Sequence, residues 1–191
     1  MEATASRMLS VAAQQFAEKG YSGASMRGIA DASGTTQAAI YHHYPNKDAL
    51  YQAVLEHHFR ETTARLLSTL SELEDPVERL QRMVHGMVTM LAEDEKFHRL
   101  YQRELLEGDE DRLAFLATHV FGELLDFAES LVRDMKLSMD VHQVMTSLAG
   151  LVSFHMEARK MLVFLPDSRP ENQDLGVIAD HIAQLMMHGL R

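Results

Sequence analysis

The stretch from Ser25 to Lys47, SMRGIADASGTTQAAIYHHYPNK, constrains this chain most, because it reads as two short helices joined by a tight glycine turn. Ser25 can cap a first helix whose apolar side is Met26, Ile29 and Ala30, and Gly34 supplies the backbone freedom needed to leave it. Thr36, after Thr35, can cap a second helix. Ile40 and Tyr44, spaced i and i+4, then turn toward a core, which leaves Gln37, Ala38, Tyr41, His42 and His43 outside. That outer set suits double-stranded DNA. Glutamine can bond adenine edges, alanine can touch a thymine methyl, and tyrosine and histidine can donate to phosphates. Thr36, Gln37 and Ala38 are expected to read bases, whereas Arg27, Tyr41, His43 and Lys47 are expected to hold the backbone, with Ser25 and Thr35 beside them.

A formal charge of -10 opposes binding to a polyanion, but it is unevenly spread. Residues 1–60 hold five Lys/Arg and five Asp/Glu, so the excess acid lies wholly beyond residue 60. A neutral head must bind DNA through a few placed contacts and through two copies at once, and its non-specific binding should be weak. The absence of cysteine excludes disulfides and thiol chemistry. No apolar run approaches the roughly 20 residues of a membrane span and no signal-peptide core opens the chain, so the expected location is cytoplasmic, with no membrane partner.

The remaining pattern is helical, with no strand signature, and 46% apolar residues are enough for a core. A first helix over Thr4–Lys19 carries Met8, Leu9, Ala12, Ala13, Phe16 and Ala17 on one stripe and stops at Gly20. Pro45 ends the second short helix of the turn motif, and Asn46 caps a long helix over Lys47–Leu70. Asp75-Pro76 opens a fifth helix bearing Leu80, Met83, Val84, Met87, Val88 and Leu91. A sixth spans Phe97–Glu107, Gly108-Asp109 breaks it, and one long seventh helix is expected over Glu110–Lys136. Two last helices follow, over Asp140–Phe164 and Leu175–Leu190, joined by the polar segment Pro166–Asn172.

Eleven histidines raise the question of a metal, and His85, His98, His119, His142 and His155 could converge with Glu104 or Glu123. Their spacing supplies no i,i+4 pair and no HExxH, so no metal is expected. Nor is a catalytic residue expected: there is no nucleophile elbow, phosphate-cradling loop or framed carboxylate pair. The thirteen methionines point elsewhere. Met83, Met87 and Met90, with Phe97, Tyr101 and Phe115 nearby in sequence, are adaptable soft and aromatic surface of the kind that either fills a bundle core or lines a ligand site. The terminal stripe Val177, Ile178, Ile182, Leu185 and Met186, together with Leu148, Leu151 and Val152 among small residues, asks for a partner surface and is read as a dimer interface.

The segment AAQQFAEKGYSGASMRGIADASGTTQAAIYHHYPNKDAL resembles the N-terminal domain of the tetracycline-repressor (TetR) family of bacterial transcription regulators, over roughly Met8–Val54. The shared features are the paired alanines before Phe16, the Gly20-Tyr21 stop, Ile29-Ala30, the turn at Gly34, and Tyr41 with a following aromatic and Lys47. Two positions depart from the family pattern. Gly28 lies inside a helix, where it costs about 1 kcal/mol relative to alanine, and Ala38 replaces a common glycine. The resemblance implies an all-α fold: a three-helix DNA-binding domain over residues 1–46 and a helical effector-binding and dimerisation domain over 47–191. It also implies a homodimer on a palindromic operator, released by a small apolar or aromatic effector. Met83, Met87, Met90, Phe97, Tyr101 and Phe115 would line the effector site, with Tyr101 and His119 as polar handles. Repression is the expected output; the alternatives are activation or effector-independent regulation by the same fold, or a partner-binding protein with a non-functional DNA head, and no cofactor is implied.

Overall fold

The computed structural model describes residues 2–107 and 109–189, with side chains from Ser6 onward. Gly108 and Leu190, where a helix break and a helix end were expected, lie outside the described residues. Those residues form ten α-helices and one 3-10 turn, with no strand. They fall into two compact units. The first combines Met1–Thr62 with Glu95–Val120, and the second combines Thr63–Asp94 with Phe121–Arg191.

In the first unit, α1 (Glu2–Gly23) buries Met8, Ala12, Ala13, Phe16 and Ala17. Gly20 interrupts it at φ 71°, ψ 173°, a conformation open to glycine, and a Cβ there would lie 2.7 Å from Nη1 of Arg103. Next come α2 (Met26–Ser33) and α3 (Gln37–His43), then α4 (Lys47–Leu70), which supplies Leu50, Tyr51, Val54, Leu55 and Phe59 to the core. α6 (Glu95–Glu107) and α7 (Glu110–His119) complete the unit. Phe97 of α6 lies 4.4 Å, ring to ring, from Phe59. Arg103 donates to the Ala17 and Glu18 carbonyls at 3.1 and 3.2 Å, placing a cation at the turn that precedes the Gly20 interruption.

The second unit holds the end of α4, α5 (Pro76–Glu93), α8 (Gly122–Asp134), α9 (Val141–Leu162) and α10 (Leu175–Gly189). Asp75 caps α5 and Asp140 caps α9 through their side chains. Gly86 lets α5 approach α4 closely, since a Cβ there would stand 2.2 Å from Cδ1 of Leu66. Arg79 ties α5 to α8 by donating to Asp134 at 2.7 Å and Ser130 at 2.9 Å over the Phe127 ring. A 3-10 turn (Pro170–Gln173) forms in the expected polar connection, and Gln173 donates to the Arg159 carbonyl at 3.0 Å.

The single seventh helix expected over Glu110–Lys136 is two helices. Thr118 to Gly122 is a run of weak helix formers, and the Thr118 hydroxyl turns back onto the Ala114 carbonyl at 2.8 Å. Val120, at φ -116°, ψ -50°, and Phe121, at φ -93°, ψ -5°, stay in the right-handed region but off ideal helical values, and α8 starts at Gly122.

The expected dimer residues divide by burial. Leu148, Val152, Ile178, Ile182 and Met186 are buried within a single chain, and of the set only Leu185 is exposed and Leu151 half-buried. Both α9 and α10 carry two apolar stripes, and the bundle consumes one from each. The outward stripes are Leu151, Phe154 and Met161 on α9, and Val177 and Leu185 on α10.

Candidate nucleic-acid interface

Ser25 and Thr36 start the two helices of the turn motif. The Ser25 Oγ accepts from the Gly28 N–H at 3.1 Å, and the Thr36 Oγ1 accepts from the Ala39 N–H at 3.1 Å. Gly34 ends α2 in the left-handed region at φ 65°, and its N–H returns to the Ala30 and Asp31 carbonyls. Ile29 and Ile40 are fully buried and pin both helices, so the rest of α3 faces outward. Gln37, Ala38, Tyr41, His42 and His43 are exposed, as are Ser25, Arg27 and Thr36, whereas Thr35, Tyr44 and Lys47 are half-buried. The His42 and His43 rings stand edge to face with their centres 5.4 Å apart.

Two supports of this surface, the Arg7–Ser33 bond and the Lys47–Tyr21 contact, were not legible in the sequence. Arg7 of α1 donates to the Ser33 carbonyl at 2.6 Å, fixing the C-terminal end of α2 at the turn. At the start of α4, Asn46 Oδ1 accepts from the Ala49 N–H at 2.7 Å, and the Lys47 ammonium sits 4.4 Å from the centre of the Tyr21 ring. The Tyr21 hydroxyl donates to Asp48 at 2.5 Å.

Beneath that corner lies a buried polar cluster. Tyr51 of α4 donates its hydroxyl to Glu104 of α6, which is 1% exposed, and Glu104 also accepts from Nε of Arg112 at 2.9 Å. Arg112 reaches Asp109 at 3.2 Å and Glu107 at 3.7 Å. Its guanidinium lies 4.9 Å from the Tyr21 ring and 5.3 Å from the Tyr51 ring. Burial alone would lower the Arg112 pKa, but the hydrogen bond and charge of Glu104, helped by Asp109, hold it above its ordinary value. One sequence signal pointed here: Glu104 continues the buried stripe of Phe97 and Leu100, and a carboxylate on such a stripe demands a buried cation.

The same cluster predicts an alkaline weakness. Burial, then the hydrogen bond to Asp48 and its charge, push Tyr21 up to about 12, and burial with Glu104 raises Tyr51 as well. Above the ordinary tyrosine value of 10.0 the unfolded chain sheds protons that the native chain keeps. This stability is therefore intact below pH 10 and is lost as pH rises through about 12. Denaturant midpoints should fall with pH over that window, and fall less steeply in Tyr21→Phe; equal slopes would contradict the shift.

The residues expected to hold an effector are distributed over both units. Met83 and Met87 are buried and Met90 half-buried on α5 in the second unit. Phe97 is buried and Tyr101 and Phe115 half-buried in the first unit, where His119 is exposed and stacked 4.7 Å from the Phe115 ring. The second unit encloses a cavity of about 10 Å³ lined by Leu80, Met83, Leu131, Val144, Met145 and Leu148, among other apolar side chains. Met83 is the one residue of the expected set on its wall. Among the described residues no helix is long and apolar enough to cross a membrane.

Residues 8–54, which carry the turn motif and its supports, match the description "Bacterial regulatory proteins, tetR family". This segment is a tetR-family domain. Similarity to known transcription regulators extends beyond that domain. The HTH-type transcriptional activator FasR of Mycolicibacterium smegmatis is 26% identical over 175 residues, 90% of this chain and 76% of FasR. The HTH-type transcriptional repressor AcnR of Corynebacterium efficiens is 39% identical over 71 residues, 32% of this chain and 36% of AcnR. Among solved structures, the FadR regulator of Bacillus subtilis in complex with stearoyl-CoA superposes with a TM-score of 0.79 at 16% identity, over 97% of this chain and 98% of FadR. AibR in complex with isovaleryl coenzyme A and operator DNA gives 0.71 at 24% identity, over 95% and 97%. These structural likenesses establish a shared TetR-type all-helical fold.

Proposed function

We propose that this DNA-binding transcriptional regulator sits as a cytoplasmic homodimer on a palindromic operator and is released by a small, largely apolar effector. Residues 1–46 form the DNA-reading head, and residues 47–191 bind the effector and the second copy. The observation that carries the reading is α3 itself: fully buried Ile40 fixes its rotation, so Gln37, Ala38 and Tyr41 are exposed together. Thr36, Gln37 and Ala38 read base edges, and Arg27, Tyr41, His43 and Lys47 hold phosphates, with Ser25, Thr35 and His42 at the margin.

The enclosed cavity has space for about one water, so an effector must open the bundle to enter. That requirement gives the ligand different affinities for a closed and an opened state, which is the condition for coupling to DNA. FadR of Bacillus subtilis was solved with stearoyl-CoA and AibR with isovaleryl-CoA, which supports acyl thioesters as the effector class. Activation is the second reading, because FasR is named an activator.

The experiment is selection of a duplex from random sequence, followed by titration of the complex with stearoyl-CoA, isovaleryl-CoA, free coenzyme A and stearate. A palindromic duplex and release by an acyl thioester but not by coenzyme A are expected, with about 5- to 150-fold loss of affinity. Absence of a selected sequence would overturn the regulator reading, and tight acyl-CoA binding with unchanged DNA affinity would overturn the coupling. A reporter downstream of the selected site distinguishes repression from activation.

A further inference from the structure

A lysine that binds phosphate starts as a point charge on a flexible four-carbon stem, and ordering that stem subtracts from affinity. Lys47 is not left to wander. Its ammonium stands over the Tyr21 ring, and three groups hold Tyr21 in turn: Asp48 by the hydroxyl, the Tyr51 ring edge to face at 5.2 Å, and the Arg112 guanidinium. Arg112 is itself immobile, being 8% exposed and set among Glu104, Glu107 and Asp109. A continuous set of contacts thus runs from α7 to the first residue of α4.

We infer that Tyr21 and Arg112 are positioning residues for DNA binding, which hold the Lys47 ammonium where a DNA phosphate will meet it. Neither touches the nucleic acid; both act through Lys47. The inference rests on the phosphate role proposed above for Lys47. It also gives α7, which lies outside the turn motif, a direct hold on a DNA contact, so that displacement of α7 would loosen Lys47 without disturbing α3. Ordering of one long side chain sets the scale: loss of the support should weaken binding by about 2- to 12-fold.

The test uses the whole chain and its selected duplex, without effector, and compares each change in the wild-type and Lys47→Ala backgrounds. Tyr21→Leu removes the ring, and Glu104→Gln with Arg112→Met removes both partners of the buried pair together, which spares the fold an unpaired buried charge. Each should weaken binding by about 2- to 12-fold in the wild-type background and have no effect once Lys47 is alanine. Tyr21→Phe, which keeps the ring, should recover most of what Tyr21→Leu loses. Equal losses in both backgrounds would mark Tyr21 and Arg112 as structural and overturn the inference. If Lys47→Ala weakens binding while neither support variant does, the inference falls and the phosphate role stands. If Lys47→Ala changes nothing, both fall.

Discussion

Gln37→Ala should lower affinity for the selected duplex by about 1 to 3 kcal/mol and relax preference at one base position. The direction follows from placement: Gln37 is exposed in the first turn of α3, capped by Thr36 and held by buried Ile40, so its amide is presented on a rigid element. Lys47→Ala should act differently, weakening every sequence alike and reducing the salt slope by about one. The contrast is the useful measurement, because a general loss of fold would affect both readouts together. Residues 1–60, the head and the start of α4, carry five basic and five acidic residues, so little non-specific attraction masks the loss of a single contact. Affinity measured across single-base variants of the duplex and across salt concentrations checks both. A Gln37→Ala protein with uniformly reduced affinity and unchanged base preference would remove Gln37 from the reading set.

Helix starts were legible wherever a capping side chain or proline marked them. Ser25, Thr36 and Asn46 make the expected cap bonds, Asp75 and Asp140 cap the helices expected to begin there, and α4 covers the expected Lys47–Leu70. The turn at Gly34 was legible because its left-handed backbone favours glycine. The break between α7 and α8 was not, since no proline marks it and the weak formers from Thr118 to Gly122 each shift the balance only slightly. Arg7, Tyr21 and the Glu104–Arg112 pair escaped for another reason. Their partners lie on other helices, so which charge meets which carbonyl or ring depends on packing that periodicity along one helix does not encode. The expected dimer residues meet the same limit: α9 and α10 are apolar on two sides, and a stripe alone does not say which side the bundle takes.

The second copy should therefore be held by the outward stripes, and substitutions there should separate from substitutions in the buried ones. Phe154, 72% exposed, and Leu185, 46% exposed, stand on these stripes with Met161 and Val177. A chain of this size rarely leaves so much large apolar side chain in water without a partner. Phe154→Asp with Leu185→Asp should leave helix content and the melting transition of the protomer nearly unchanged while sedimentation shifts from dimer to monomer. Operator affinity should then fall by about 10²- to 10⁴-fold, because two linked heads bind the second half-site at a high effective concentration that a lone head lacks. Leu148→Asp should behave in the opposite way. Leu148 is 1% exposed within the chain, so the change removes packing worth about 2 to 5 kcal/mol, as for leucine to alanine in a core, and adds the desolvation of a carboxylate. Loss of the cooperative melt, not clean dissociation, is the expected result. A folded monomer from Leu148→Asp, or a dimer that survives Phe154→Asp with Leu185→Asp, would return the interface to the buried stripes and require the bundle to open when two chains meet.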